Sequence, residues 1–174
     1  QGVVRADVQV LLGNCYETER RPNLALQAYR RAIEVEPARV DYYQDLIALL
    51  LDLGKSNDAL ELVNHAVTIA PNDARPWVWK GHLSLRKNQY KDAIESYTHA
   101  RQLDRSNADA ILGIATVYFV AGENAAAIAQ YRAGMVSFPN DARFYIACAE
   151  TLLASPDSLR LQDEAENLLR KAAK

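Results

Sequence analysis

The sequence predicts an all-α fold, a solenoid of about five stacked helical hairpins. Three observations predict it: a composition that favours helix, self-similarity on a fixed period, and two helix-breaking signals inside each period. Of 174 residues, 28 are alanine and 21 leucine, against 7 glycines and 6 prolines. Long runs of good helix formers with few breakers disfavour strands and disorder alike.

The period is 34 residues. Pro37 and Pro71 stand one period apart, Pro139 two periods further on, and Arg105 takes the step between. Ala25, Ala59, Ala93 and Ala127 keep the same beat, as do Ala32, Ala66, Ala100 and Gly134. Tyr29, Val63, Tyr97 and Tyr131 form a third row. Such a period marks a repeat architecture.

Within residues 108–141, Ile111, Ile114, Ala115 and Tyr118 make one helical stripe, and Ala127, Ile128, Tyr131 and Met135 a second. Gly122 supplies the turn between them, where a helix C-terminus often requires positive φ. Pro139 stops the second stripe, and Asp141, like Asp73 earlier, stands where a carboxylate caps the next helix. Alanine or glycine at the crossings lets the helix axes approach closely, and tyrosine or tryptophan fills the space beside them. A lone hairpin cannot bury both stripes, so each unit needs a neighbour.

These rows resemble the tetratricopeptide repeat (TPR). That pattern has a large residue at position 4, Leu then Gly or Ala at 7 and 8, and Tyr at 11. Ala follows at 20, an aromatic at 24, Ala at 27 and Pro at 32. Residues 6–39 carry Leu12, Gly13, Tyr16, Ala25, Tyr29, Ala32 and Pro37. Residues 40–73 carry Tyr43, Leu46, Ala59, Ala66 and Pro71, with Ile47 in the small-residue place. Residues 74–107 carry Trp77, Gly81, Ala93, Tyr97 and Ala100, with Lys80 and Arg105 departing; a snorkelling stem accounts for Lys80. Residues 108–141 match throughout. Residues 142–174 begin with Tyr145 and Ala149, take about four extra residues near 155–160, and rejoin at Ala165, Leu169 and Ala172. The resemblance implies one TPR domain over 1–174, wound as a right-handed α-α superhelix.

The resemblance also places ligands against the first helix of each hairpin. On this chain those positions hold Asn14, Asp41, Gln44, Asp45, Arg75, Trp79, His82, Arg86, Asp109, Thr116, Phe119 and Arg143. Asp7, Val78, Leu112, Val120, Ile146 and Glu150 fall on the same positions. Trp79 lies two residues beyond the core-row Trp77, so it is read either as an interaction anchor or as packing against a neighbouring first helix. Arg75, Arg86 and Arg143 are read as partners for carboxylates or as solvated rim charges. The carboxylate clamp of some family members is largely missing: Val10, Asn14, Asp45, Arg75 and Trp79 occupy its places, and only Asn14 and Arg75 fit.

No catalytic residue, cofactor site or metal site is expected. The glycines are dispersed, so no phosphate loop forms, and His65, His82 and His99 do not converge. Net charge is −2, which removes the electrostatic basis for general nucleic-acid binding. The longest apolar run, Leu46–Leu51, ends at Asp52, far short of the roughly 18 residues of a membrane span. Cys15 and Cys148 are expected on buried faces, too many layers apart to bond. Glu166 and Ala173 replace apolar residues of earlier rows, which gives the fifth unit a cap-like character. Gln1 and Lys174 lead to the expectation of a segment excised from a larger protein, its compartment open between cytoplasm and periplasm. The expected function is a non-catalytic scaffold binding a partner protein or peptide, the alternatives being self-association through terminal repeats and an RNA-binding helical repeat.

Overall fold

The computed structural model describes residues 5–155 and 158–173, and every regular element among them is a helix. The first helices of the hairpins are α1 (Ala6–Thr18), α3 (Asp41–Asp52), α5 (Ala74–Arg86), α7 (Ala108–Val120) and α9 (Ala142–Leu153). The second helices are α2 (Pro22–Val35), α4 (Ser56–Ile69), α6 (Tyr90–Leu103), α8 (Asn124–Ser137) and α10 (Ser158–Ala172). The fold is therefore an all-α helical repeat. Of the extra residues expected near 155–160, Pro156 and Asp157 lie outside the described residues.

The turns of the first four hairpins are built the same way. Arg20, Gly54, Asn88 and Gly122, spaced one period apart, all have positive φ, at 55°, 72°, 58° and 82°. The next amide donates back to a carbonyl five residues earlier, Lys55 N to Leu50 O at 2.8 Å and Glu123 N to Tyr118 O at 2.8 Å. These bonds satisfy carbonyls that the helix end leaves open. Glycine alone does not mark the turn, since arginine and asparagine take the same conformation.

The passage to the following hairpin is fastened by aromatic residues at position 4. Tyr43 Oη donates to Pro37 O at 2.8 Å, Trp77 Nε1 to Pro71 O at 3.1 Å, and Tyr145 Oη to Pro139 O at 3.0 Å. Asp141 accepts from Arg143 N at 3.1 Å and Asp73 from Arg75 N at 2.9 Å, as capping requires.

The chain divides into two compact units, Gln1–Lys80 and Gly81–Lys174. In the first, Ala25, Tyr29 and Ala32 of α2 form a buried core with Tyr43, Leu46 and Leu50 of α3 and Ala59, Val63 and Ala66 of α4. In the second, the buried cluster includes Ala115, Ala127, Tyr131, Phe144, Cys148, Ala149, Leu152 and Ala165. Burial of aliphatic and aromatic side chains, at roughly 25 cal/mol per Å² of apolar surface, is the main stabilising contribution. Lys80 places its ammonium 5.2 Å from the centre of the Trp77 ring, a cation–π contact beyond simple snorkelling.

Two expectations need correction. Cys15 is exposed, because no described helix covers that face of α1; only Cys148 is buried, and burial pushes its thiol up to about 11. In α10 Leu168, not Leu169, is the leucine described as buried.

Candidate partner-binding groove

The residues expected to face a partner are set in place by the buried tyrosines. In three hairpins the position-24 tyrosine hydroxyl reaches the position-9 side chain of its own first helix, fifteen residues earlier. Tyr29 Oη donates to Asn14 Oδ1 at 2.6 Å, Tyr97 Oη meets His82 Nδ1 at 2.8 Å, and Tyr131 Oη lies 3.2 Å from Thr116 Oγ1. Thr116 Oγ1 also donates to Leu112 O at 2.9 Å. The ring is buried for packing while its hydroxyl needs a partner, and that need orients the residue above it.

In the first unit the result is an acidic surface. A Glu17 carboxylate oxygen shares the single Tyr29 hydroxyl proton with Asn14. Asp45, half-buried, has its pKa raised by desolvation and then by the Glu17 charge. Burial and the Glu17 contact raise the Tyr29 pKa as well, so the phenol stays a neutral donor. Gln44 is exposed, and Trp79 and Val78 are half-buried and buried.

Arg75 and Arg143 are not available as bare cations. Arg75 bonds Asp73, with Nη2 at 2.6 Å from Oδ2, and Nη1 reaches Asp41. Arg143 repeats the arrangement in the second unit, with Asp141 at 2.7 Å and Asp109 at 2.6 Å. The arginine holds each capping carboxylate below the usual range. Two aspartates around Arg143 leave that cluster with a net negative charge, whereas Arg39, 3.8 Å from Asp41, balances the cluster around Arg75. The signal was present in the sequence: both arginines end an Asp-Ala-Arg segment, and each has an aspartate 34 residues upstream.

The second unit adds a cavity of about 300 Å³. Leu85, Leu112, Gly113 and the Tyr97 ring supply its apolar part; His82, Asp109, Thr116 and Arg143 supply polar groups. Five of the expected groove residues, Leu112 among them, thus converge here. Phe119 instead packs, half-buried, against the core of the unit, and Arg86 is exposed. Tyr97 was missed because it lines the cavity from a core row, whereas Leu85 and Gly113 stand at first-helix groove positions that the expectation left out.

Gly113 is required by the close approach of α7 to Tyr97: a Cβ there would sit 2.5 Å from the ring, and one on Gly81 2.6 Å from the same ring. Desolvation lowers the His82 pKa, outweighing the opposing pull of Asp109. A neutral imidazole accepting from the Tyr97 hydroxyl at Nδ1 carries its proton on Nε2. The cavity therefore offers hydrogen-bond donors and acceptors around an apolar floor. Among the described residues no group of three or more His, Cys, Asp or Glu is arranged to hold a metal ion, and no helix is long and apolar enough to cross a membrane.

Family models described as tetratricopeptide repeat match residues 6–39 and 84–155, together more than half of the chain. The human DnaJ homolog subfamily C member 7 is 30% identical over 98 residues, which cover 56% of this chain and 20% of that protein. The small glutamine-rich tetratricopeptide repeat-containing protein 2 of Mycosarcoma maydis is 26% identical over 95 residues, covering 55% and 27%. The match thus spans only about a fifth to a quarter of these relatives. A thermophilic TPR protein of Thermus thermophilus superposes with a TM-score of 0.78 at 21% identity, over 96% of this chain and 89% of that one. With its repeated rows, its ten described helices and these family matches, the chain belongs to the tetratricopeptide repeat family.

Proposed function

We propose that this chain is a non-catalytic protein-interaction scaffold whose cavity in the second unit receives a side chain of a partner peptide or helix. The observation that carries this reading is the coincidence of an open cavity with positions assigned to the groove by the repeat pattern, at His82, Asp109, Thr116 and Arg143. Apolar walls with a few oriented polar groups suit a side chain with an apolar body and a polar end. The surrounding acidic clusters favour a partner segment without excess negative charge. Membership of the TPR family, whose members are typically protein-binding scaffolds, supports the same reading. The first-helix residues of the first unit, Asn14, Asp41, Gln44, Asp45, Arg75 and Trp79, are proposed as contact residues for other parts of a partner. The repeats 6–39, 40–73, 74–107, 108–141 and 142–174 are proposed to act as one binding domain.

The test is selection of binders from a random peptide display library, followed by calorimetry. Selected peptides are expected to lose at least about tenfold in affinity with Leu112→Lys, which fills and charges the cavity. The melting temperature of that variant should stay near the parent value, since Leu112 is only half-buried. No enrichment, or peptides indifferent to Leu112→Lys, would remove the cavity from the function.

A further inference from the structure

We infer that the cavity of the second unit selects a carboxamide side chain, glutamine or asparagine, with His82 donating to its carbonyl oxygen and Asp109 accepting from its amide. This rests on the reading of that cavity as a receptor for a partner side chain. The polar groups around it are mostly spent on one another, and those left open set the choice. His82 is exposed and lines the cavity, and the Tyr97 hydroxyl, 2.8 Å away, occupies its Nδ1. With the imidazole neutral, as desolvation favours, Nε2–H is the hydrogen-bonding group the ring has left, and it only donates.

Asp109 is open in the complementary sense. Arg143 Nη1 donates to its Oδ1 at 2.6 Å, and among the described residues no donor reaches its Oδ2, which only accepts. Thr116 adds no donor, because its hydroxyl proton goes to Leu112 O at 2.9 Å. Leu85, Leu112 and the Tyr97 ring provide walls for a short methylene stem. The site thus offers one donor on α5 and one acceptor on α7 above an apolar floor.

Other side chains answer only part of this. A carboxylate finds no uncommitted cation, since Arg143 bonds Asp141 through Nε at 2.9 Å and Nη2 at 2.7 Å while Nη1 holds Asp109. It would also face the net negative charge of that cluster. A lysine ammonium satisfies Asp109 but has no acceptor for the His82 N–H. An apolar side chain closes the cavity over both groups and leaves both unpaired. A hydroxyl must meet the two helices with a single oxygen atom. A carboxamide carries its acceptor and its donors on separate atoms at the end of an apolar stem.

The test uses peptides selected from a random display library that bind the parent chain and are released by Leu112→Lys. The residue entering the cavity is the one whose replacement by alanine couples to Leu112→Ala in a double-mutant cycle. That residue is expected to be glutamine or asparagine. On the parent chain, exchanging it for its acid isostere should weaken binding about tenfold or more, and exchanging it for methionine or leucine about fivefold. On Asp109→Asn the preference for the amide over the acid should shrink severalfold, because the repelling charge is gone. A residue of any other class at the coupled position overturns the carboxamide assignment and leaves the side-chain pocket standing. So does an acid isostere that binds equally well, or an amide preference unchanged on Asp109→Asn. If no selected peptide is released by Leu112→Lys, or no position couples to Leu112→Ala, the pocket itself falls and this inference falls with it.

Discussion

The two units use one device to different ends. Tyr29 in the first and Tyr97 in the second are both buried, and each hydroxyl engages a position-9 side chain, Asn14 or His82, 68 residues apart. Sixty-eight residues also separate Asp45 from Gly113 at position 6 of the following first helix. Where Asp45 stands, the surface near Tyr29 is acidic and a half-buried carboxylate carries a raised pKa. Where Gly113 stands, α7 approaches the Tyr97 ring and a cavity opens beside it. The repeat holds the scaffold constant while single positions change what it offers to a partner.

Grafting the first unit's residue into the second is the severest test of that contrast. Gly113→Asp would drive a Cβ and a carboxylate against a ring that two glycines approach closely, and a loss of about 3 kcal/mol in a denaturant melt is expected. An unchanged midpoint would mean that Tyr97 moves freely and that the close approach is not structural.

Removing the hydroxyls should cost less. Tyr29→Phe and Tyr97→Phe are each expected to lose about 1 kcal/mol, with the ring packing retained. The Tyr97→Phe variant should also free His82, read as a shift of its imidazole NMR titration, with no such change in Tyr29→Phe. Equal shifts in both variants would separate His82 from Tyr97.

The Asp-Arg-Asp contacts recur in the two units, with Arg39 added beside Asp41 in the first, and the two should behave nearly alike. Arg75→Gln and Arg143→Gln are expected to cost less than about 1 kcal/mol each, because the pairs are solvent-exposed and screened. Thermal melts that differ sharply between the two would end the equivalence.

The smallest effect has the opposite sign. The folded-state pKa of Asp45 is raised, so the folded protein binds that proton more tightly than the unfolded chain. Its ionisation therefore opposes folding, with the cost absent below the unfolded-state pKa and fully present above the folded one. Asp45→Asn should raise the melting temperature by about 2 °C at neutral pH and leave it unchanged near pH 3. A gain that persists at low pH would assign the effect to packing instead of charge.

The helical hairpins were legible because their signals are local and recur. Alanine, tyrosine and proline rows on one period report burial and chain direction without knowledge of any contact, and Gly54 and Gly122 announce turns that Arg20 and Asn88 conceal. Position 9 was legible as groove, since Asn14, His82 and Thr116 follow from the repeat pattern. What those residues do was not. The arginines looked available for a partner until their two aspartates each were found in contact, although the Asp-Ala-Arg segments could have warned of it.

By itself, then, the sequence determined the all-α repeat, the helix order and the identity of the rows, because hydrophobic periodicity and helix stop signals act over a few residues. Tertiary structure decided which charges are spent on each other, that Cys15 is open to solvent, and that a cavity forms beside Tyr97. These depend on distances between side chains a full repeat apart, and packing, not local preference, sets those distances.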